Sequence, residues 1–151
     1  MNKKNPELWK VKTWMTEDPQ TIPPESSIYE ALHRMFVGGY RHLLVTKGER
    51  LLGIISDRDL RRPDLPNSPS KASAYYIEND LKVFEVMTSK VITVKPHDNL
   101  SKALELFIKY RFHALPVLDE SDKIVGILTD HDVMQAFAHC LSKQDQQNTK
   151  R

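Results

Sequence analysis

Only one of the 151 residues is cysteine, Cys140, so no disulfide can form within the chain and no cysteine cluster is on hand for zinc. That scarcity fits a reducing compartment, and Cys140 itself reads as a small apolar residue of the last helix. Long apolar runs are missing too. Nothing approaches the roughly 20 residues needed to span a bilayer, and the opening MNKKNPELWK lacks the apolar stretch that follows the basic start of a secretory signal. A cytoplasmic protein without a membrane span is expected. Charge of one sign is also absent: 22 Lys and Arg stand against 20 Asp and Glu, and a net +2 does not point to a nucleic-acid partner. The length suits one compact domain or two very small ones, with enough chain to bury a core.

What the chain does contain is an internal repeat. A shift of 72 residues pairs Val11 with Val83, Met15 with Met87, Thr16 with Thr88, Thr21 with Thr93 and Pro24 with Pro96. Ala31, Leu32, Leu43 and Val45 then fall on Ala103, Leu104, Leu115 and Val117. Beyond one extra residue in the second turn, Gly53, Ile54, Asp57 and Asp59 match Gly126, Ile127, Asp130 and Asp132. Two copies are too few for a solenoid and suit a duplicated unit closed as a pseudo-twofold pair.

Each copy reads as strand, helix, strand, strand, helix. QTI and VITV are short, rich in β-branched residues and followed by proline, as expected of strands ending in turns. Ile28, Ala31, Leu32, Met35 and Phe36 recur at helical spacing, as do Leu100, Ala103, Leu104, Phe107 and Ile108. The first helix opens with the capping box SIYE, Ser27 with Glu30, and the second with DN. HLLVT and ALPVLD then predict strands, KGER and ESDK polar turns, LLGIIS and IVGILT buried strands, each followed by a last helix. The expected fold class is α/β, two tandem βαββα repeats. Residues 1–10 form a lead, 11–62 the first repeat, 63–82 a Pro- and Ser-rich linker, 83–140 the second repeat and 141–151 a flexible tail. ELWKVKTWM predicts a short helix in which Trp9 and Trp14 anchor packing.

The segments GIISDRD and GILTDHD concentrate the chemistry. SDRD and TDHD both fit the Ser/Thr, two residues, Asp pattern of a helix capping box, and a strand runs into a helix there. A cap alone does not explain why the glycine, the hydroxyl residue and both aspartates recur together. A helix start offers free amide donors that suit phosphate, a carboxylate beside it suits vicinal ribose hydroxyls, and the glycine lets another group approach the backbone. A nucleotide presents both phosphate and diol.

With MT before each copy, a TVxP-like strand, and RHLLV or FHALPV following, these motifs resemble the paired cystathionine-β-synthase (CBS) domain, or Bateman module. The resemblance covers roughly residues 11–62 and 83–140. It implies an adenosine-containing ligand, AMP, ADP, ATP or S-adenosylmethionine, held in clefts between the copies, with magnesium accompanying ATP. It further implies that Asp59 and Asp132 hold the ribose, with Ser56 and Thr129 near ribose and phosphate. Thr21, Ile22, Thr93 and Val94 would flank the adenine, and Arg41, His42 and His113 would meet phosphate. Ala114 stands where the first copy has His42, so the two sites need not be equivalent. The long linker also resembles that of CBS-pair proteins tied to acetoin utilisation.

The chain is therefore expected to be a regulatory sensor, not an enzyme, that signals to a partner protein by favouring one arrangement over another. A structural interaction module without ligand would keep the apolar repeat but have no need for Asp59 and Asp132. An acid-base pair of His131 and Asp132 is disfavoured because adjacent helical residues point about 100° apart. The six histidines show no metal-ligand spacing. Met35, Phe36, Phe107, Ile108, Val133, Met134 and Phe137 supply apolar helix faces, and a homodimer is expected.

Overall fold

A computed structural model describes residues 6–61 and 80–148. Two 3-10 turns, Pro6–Trp9 and Val11–Thr13, open the chain. Then come β1 (Thr16–Glu17), β2 (Thr21–Ile22), α1 (Ile28–Gly38), β3 (His42–Lys47), β4 (Arg50–Ser56) and a 3-10 turn at Asp59–Arg61. After the undescribed stretch follow α2 (Val83–Val86), α3 (Leu100–Tyr110), β5 (Ala114–Leu118), β6 (Ile124–Thr129) and α4 (Asp130–Asn148). The expected linker thus lies almost wholly outside the described residues, and so does any continuation past Arg61 of the last helix expected for the first repeat. No helix among the described residues is long and apolar enough to cross a membrane.

Two compact units form, and they do not coincide with the two repeats. One is Pro19–Val91; the other joins the residues up to Asp18 to those from Ile92 onward. In the first, β2 runs parallel to β3, which pairs antiparallel with β4. In the second, β6 is central, antiparallel to both β1 and β5. The opening stretch of each repeat, residues 11–18 or 83–91, referred to below as its lead, therefore packs in the unit that holds the other repeat's sheet. The bonds that hold the leads are equivalent. Val11 and Lys12 donate their N–H groups to the carbonyls of Asp98 and Pro96 at 3.0 and 2.9 Å, while Val83 and Phe84 donate to Ser26 and Pro24 at 2.9 and 3.0 Å.

The cores follow the same exchange. Val83 is fully buried with Ile22, Ile28, Leu43, Val45, Ile55 and Leu60, and Val11 with Val94, Leu115, Val117 and Leu128. One face of α1, with Ala31 and Met35, and one face of α3, with Ala103 and Phe107, complete these cores. Met35, Phe107 and Val133, expected on free helix faces, belong to these cores. Phe36, Ile108, Met134 and Phe137 remain exposed, at 89, 71, 60 and 62%.

Three local expectations are corrected. VITV forms no strand: Val94 makes one isolated parallel bridge to Val117. The cause is proline. In the other unit the Leu44 N–H donates to the Gln20 carbonyl at 3.0 Å, but the aligned residue in the second repeat is Pro116, which has no N–H to give. The tail expected to be flexible from 141 is helical through Asn148, because nothing between Asp130 and Asn148 is glycine or proline and Lys and Gln are good helix formers. The single helix expected across ELWKVKTWM is two 3-10 turns, with Trp14 Nε1 donating to the Leu8 carbonyl at 2.8 Å and the ring packed against the core.

The capping box at α1 is half made. Ser27 Oγ accepts the Glu30 N–H at 3.1 Å, while the Glu30 carboxylate turns to Arg34 at 2.6 Å. At α3 the Asn99 side chain makes no cap bond.

Candidate functional site

The two repeated heptads are built from the same local parts. β4 and β6 each carry the glycine in mid-strand and end on the hydroxyl residue, Ser56 or Thr129. The chain then turns, and the aspartate three residues on folds back. Asp59 Oδ2 accepts both the Ser56 N–H and its hydroxyl at 2.8 Å, and the Asp59 N–H donates to Ser56 Oγ at 3.3 Å. Asp132 Oδ2 accepts the Thr129 N–H and hydroxyl at 2.7 Å, and its own N–H donates to Thr129 Oγ1 at 3.3 Å. This is a reciprocal cap, formed twice. It uses one oxygen of each carboxylate. Oδ1 carries no hydrogen bond among the described residues, and both aspartates are half-buried, so each keeps an acceptor within reach of a ligand hydroxyl.

The glycines serve the leads. A Cβ on Gly53 would lie 2.6 Å from Met87 Sδ and 2.8 Å from the Thr88 carbonyl oxygen; one on Gly126 would lie 2.8 Å from Met15 Sδ and 2.9 Å from the Thr16 oxygen. Backbone bonds fix the first crossing, with Ile54 and Thr88 exchanging N–H and carbonyl at 3.0 and 2.9 Å. The close approach that the motif glycine permits is therefore made by the Met-Thr pair of the other repeat. The repeated MT and the repeated glycine are two sides of one contact.

Beside each cap stands the start of the neighbouring strand. The Asp57 N–H donates to the Arg41 carbonyl at 3.0 Å, and the Asp130 N–H to the His113 carbonyl at 3.1 Å. Arg41, His42, Ser56 and Asp59 are thus gathered at one strand end, His113, Thr129 and Asp132 at the other. His113 Nδ1 lies 2.7 Å from Asp130 Oδ2, a pairing that the sequence reading, which gave roles to the final aspartates alone, did not single out. The recurrence of an aspartate after each hydroxyl residue was the available signal.

The remaining candidates are placed differently. Thr21 is exposed on β2, its carbonyl accepting Arg34 Nη1 at 3.1 Å. Thr93 is half-buried. The side chains of Ile22 and Val94 are buried within the cores, so a ligand could meet only their backbone. His131 Nε2 lies 3.1 Å from Gln135 Nε2 on the same helix, not against Asp132. Among the described residues, no group of three or more His, Cys, Asp or Glu side chains is placed to hold a metal ion.

Each strand end gathers a carboxylate oxygen, a hydroxyl, and basic or imidazole side chains, donors and acceptors of the kind that a diol and an anion use. The CBS domain model matches residues 11–64 and 83–139. Over 143 residues the chain is 29% identical to an inosine-5′-monophosphate dehydrogenase of Korarchaeum cryptofilum, covering 94% of this chain and 27% of that protein. The chain spans from about a quarter to about half the length of the first curated relatives it matches. Among solved structures it is similar to CBSX2 in complex with AMP, at a TM-score of 0.71 and 28% identity, covering 87% of this chain and 98% of that one. It is also similar to the CBS domain pair of protein MJ0100 in complex with 5′-methylthioadenosine and S-adenosyl-L-methionine, at 0.70 and 25%, covering 86 and 96%. This chain belongs to the CBS domain family, as a tandem pair of CBS repeats.

Proposed function

We propose that the chain is a regulatory module that binds an adenosine-containing ligand at its two caps and passes the bound state to a partner protein. The observation that carries this reading is the second carboxylate oxygen of Asp59 and Asp132, left over after the cap is complete. A ribose hydroxyl donates to it. At each cap the hydroxyl residue, Ser56 or Thr129, lies against that sugar, the backbone at Thr21–Ile22 or Thr93–Val94 flanks the base, and Arg41 and His42 or His113 face the phosphate end. That solved relatives hold AMP, 5′-methylthioadenosine or S-adenosyl-L-methionine supports an adenosyl ligand here. ATP, with its magnesium, is the most highly charged candidate.

The module works by binding. Bound ligand stabilises one arrangement of the protein over another, and only that difference in affinity can shift the equilibrium. The functional form is a homodimer in the cytoplasm, with exposed Phe36, Ile108, Met134 and Phe137 covered by the second copy. Sedimentation at micromolar concentration gives a dimer; a monomer with and without nucleotide contradicts it.

Thermal shift against AMP, ADP, ATP, S-adenosylmethionine, NADH and coenzyme A tests the ligand. A compound at 100 times its dissociation constant adds about 2.7 kcal/mol of stability. No shift with any of them favours a structural interaction module instead.

A further inference from the structure

Helix α1 carries a second apolar face that α3 lacks. Ile28, Ala31 and Met35 turn one side of α1 into the core. At about 100° per residue, Phe36, Tyr29, His33 and Val37 follow one another along the adjoining arc of the helix. All four are exposed, Phe36 at 89%, Val37 at 69% and Tyr29 at 49%. The rings of Tyr29 and His33 stack, their centroids 6.5 Å apart at 24°. Glu30 and Arg34, paired at 2.6 Å, bound the far side of this stripe, and a hollow of about 490 Å³ opens at its C-terminal end, lined by Leu32, Phe36 and Tyr40 among others. Shifted by 72 residues, the same four positions of α3 are Ile108, Ser101, Glu105 and Lys109, all exposed. Only the first of them is apolar. The exposed apolar side chains of that unit are Leu104 and Ile108 on α3 and Met134, Phe137 and Leu141 on α4.

The stripe is too small to hold two copies together by itself. A buried aromatic side chain contributes roughly 150 to 250 Å², so the exposed parts of Tyr29 and Phe36 supply about 300 Å². A stable interface takes about 800 Å² from each partner. A dimer must therefore engage both units of each chain, and each unit meets either its own counterpart or the other unit of the second copy.

We infer that two copies of the chain meet like unit to like, the aromatic stripe of α1 packed on the same stripe of the second copy about a twofold axis at His33. The inference rests on the homodimer reading above and names its arrangement. Around a twofold axis one patch faces itself, so it has to be self-complementary. The stripe meets that condition. It holds no carboxylate, ammonium or guanidinium, so closing it on itself strips no such charge of water. His33 is the midpoint of Tyr29–Val37, and with the two α1 helices antiparallel the Tyr29 ring of one copy stands opposite Val37 of the other, at the helix end where the hollow opens. Pairing of unlike units sets Glu105 and Lys109 against these rings instead. A carboxylate is repelled by the negative face of an aromatic ring, and Lys109 Nζ already lies 5.0 Å from the Tyr110 centroid. Like-to-like pairing avoids both costs.

Disulfide trapping in the full chain tests the arrangement. Cys140 is the only native cysteine, so Cys140→Ala gives a thiol-free background. Into it are placed His33→Cys and, in a separate chain, Glu105→Cys, the aligned position of α3; both residues are exposed, so the folds are expected to survive, which the melting temperatures check. The two chains are refolded together from urea, oxidised mildly, and the linked products separated by mass. Like-to-like pairing is expected to give the His33→Cys chain linked to itself, in clear excess over the product that joins it to the Glu105→Cys chain. Mixed product as abundant as the self-linked one, whether from unlike pairing or from random collision, overturns the inference, and so does absence of the self-linked product in a protein that sediments as a dimer. Wild-type protein that sediments as a monomer with and without nucleotide overturns the homodimer reading together with it.

Discussion

Gly53 and Met87 come from different repeats, yet a Cβ on the glycine would sit 2.6 Å from the methionine sulfur. The contact explains why two motifs recur together. Gly53→Ala must push Met87 and the Thr88 carbonyl away, and Gly126→Ala must do the same to Met15 and Thr16. The sulfur is on a flexible side chain and can yield, but the carbonyl is held by a backbone bond at 3.0 Å. Each substitution is expected to cost about 1 to 3 kcal/mol in urea unfolding. A loss under about 0.5 kcal/mol in both contradicts the crossing.

Exchange of the leads makes the repeat and the folding unit different objects. A fragment of residues 11–62 holds a whole sequence repeat but lacks Val83, which completes the core of Ile22, Ile28, Leu43 and Ile55. A fragment of residues 19–91 holds the complete core. Circular dichroism is expected to show a cooperative melt for 19–91 and none for 11–62. Cooperative folding of 11–62 contradicts the exchange.

Much of this was legible in the sequence and the rest was not, for identifiable reasons. Apolar spacing placed α1 and α3 and the paired strands β3–β4 and β5–β6, and the Ser/Thr, two residues, Asp pattern placed the two caps, because each is decided within a few residues. The identity of Val11, Met15 and Thr16 with Val83, Met87 and Thr88 marked the leads as part of the motif. It could not say which sheet they join, since that is a tertiary choice with no local signature. The lost strand at VITV depended on Pro116, more than twenty residues away, and the His113–Asp130 pair on a strand pairing that only the fold supplies. At the caps, pattern alone showed an aspartate beside a hydroxyl. That one oxygen is consumed and the other left over is a matter of geometry.

Acid is expected to weaken the unit that contains Asp98. Burial raises this carboxyl's pKa, but the bond from Lys102 at 2.7 Å, the Lys95 N–H at 2.8 Å and the charges of Lys102 and Lys10 outweigh it, and the net shift is downward. A folded pKa below the unfolded one, about 3.9, means stability that is full well above that value and lost as pH falls through the folded pKa. Lys102→Met removes the chief lowering contacts. The variant is expected to be less stable than wild type by under about 1 kcal/mol at pH 7, the pair being partly exposed, with the gap closing near pH 2. A gap that widens on acidification contradicts the assignment.

The caps and the ligand are most directly separated by titrating AMP, in a calorimeter, into wild type, Asp59→Asn and Asp132→Asn, with urea unfolding of the same proteins. Asparagine keeps the size and one acceptor oxygen for the Ser56 or Thr129 N–H, so stability is expected to fall by less than about 1 kcal/mol in either variant. The uncommitted carboxylate oxygen accepts a ribose hydroxyl with the strength of a charged hydrogen bond, roughly 1.5 to 3 kcal/mol. AMP affinity is therefore expected to drop about ten- to a hundredfold at the altered site, and by unequal amounts in the two variants because Ala114 stands where the first repeat has His42. Unchanged affinity in both variants, with wild type binding AMP normally, contradicts the ribose role and leaves SDRD and TDHD as helix caps alone.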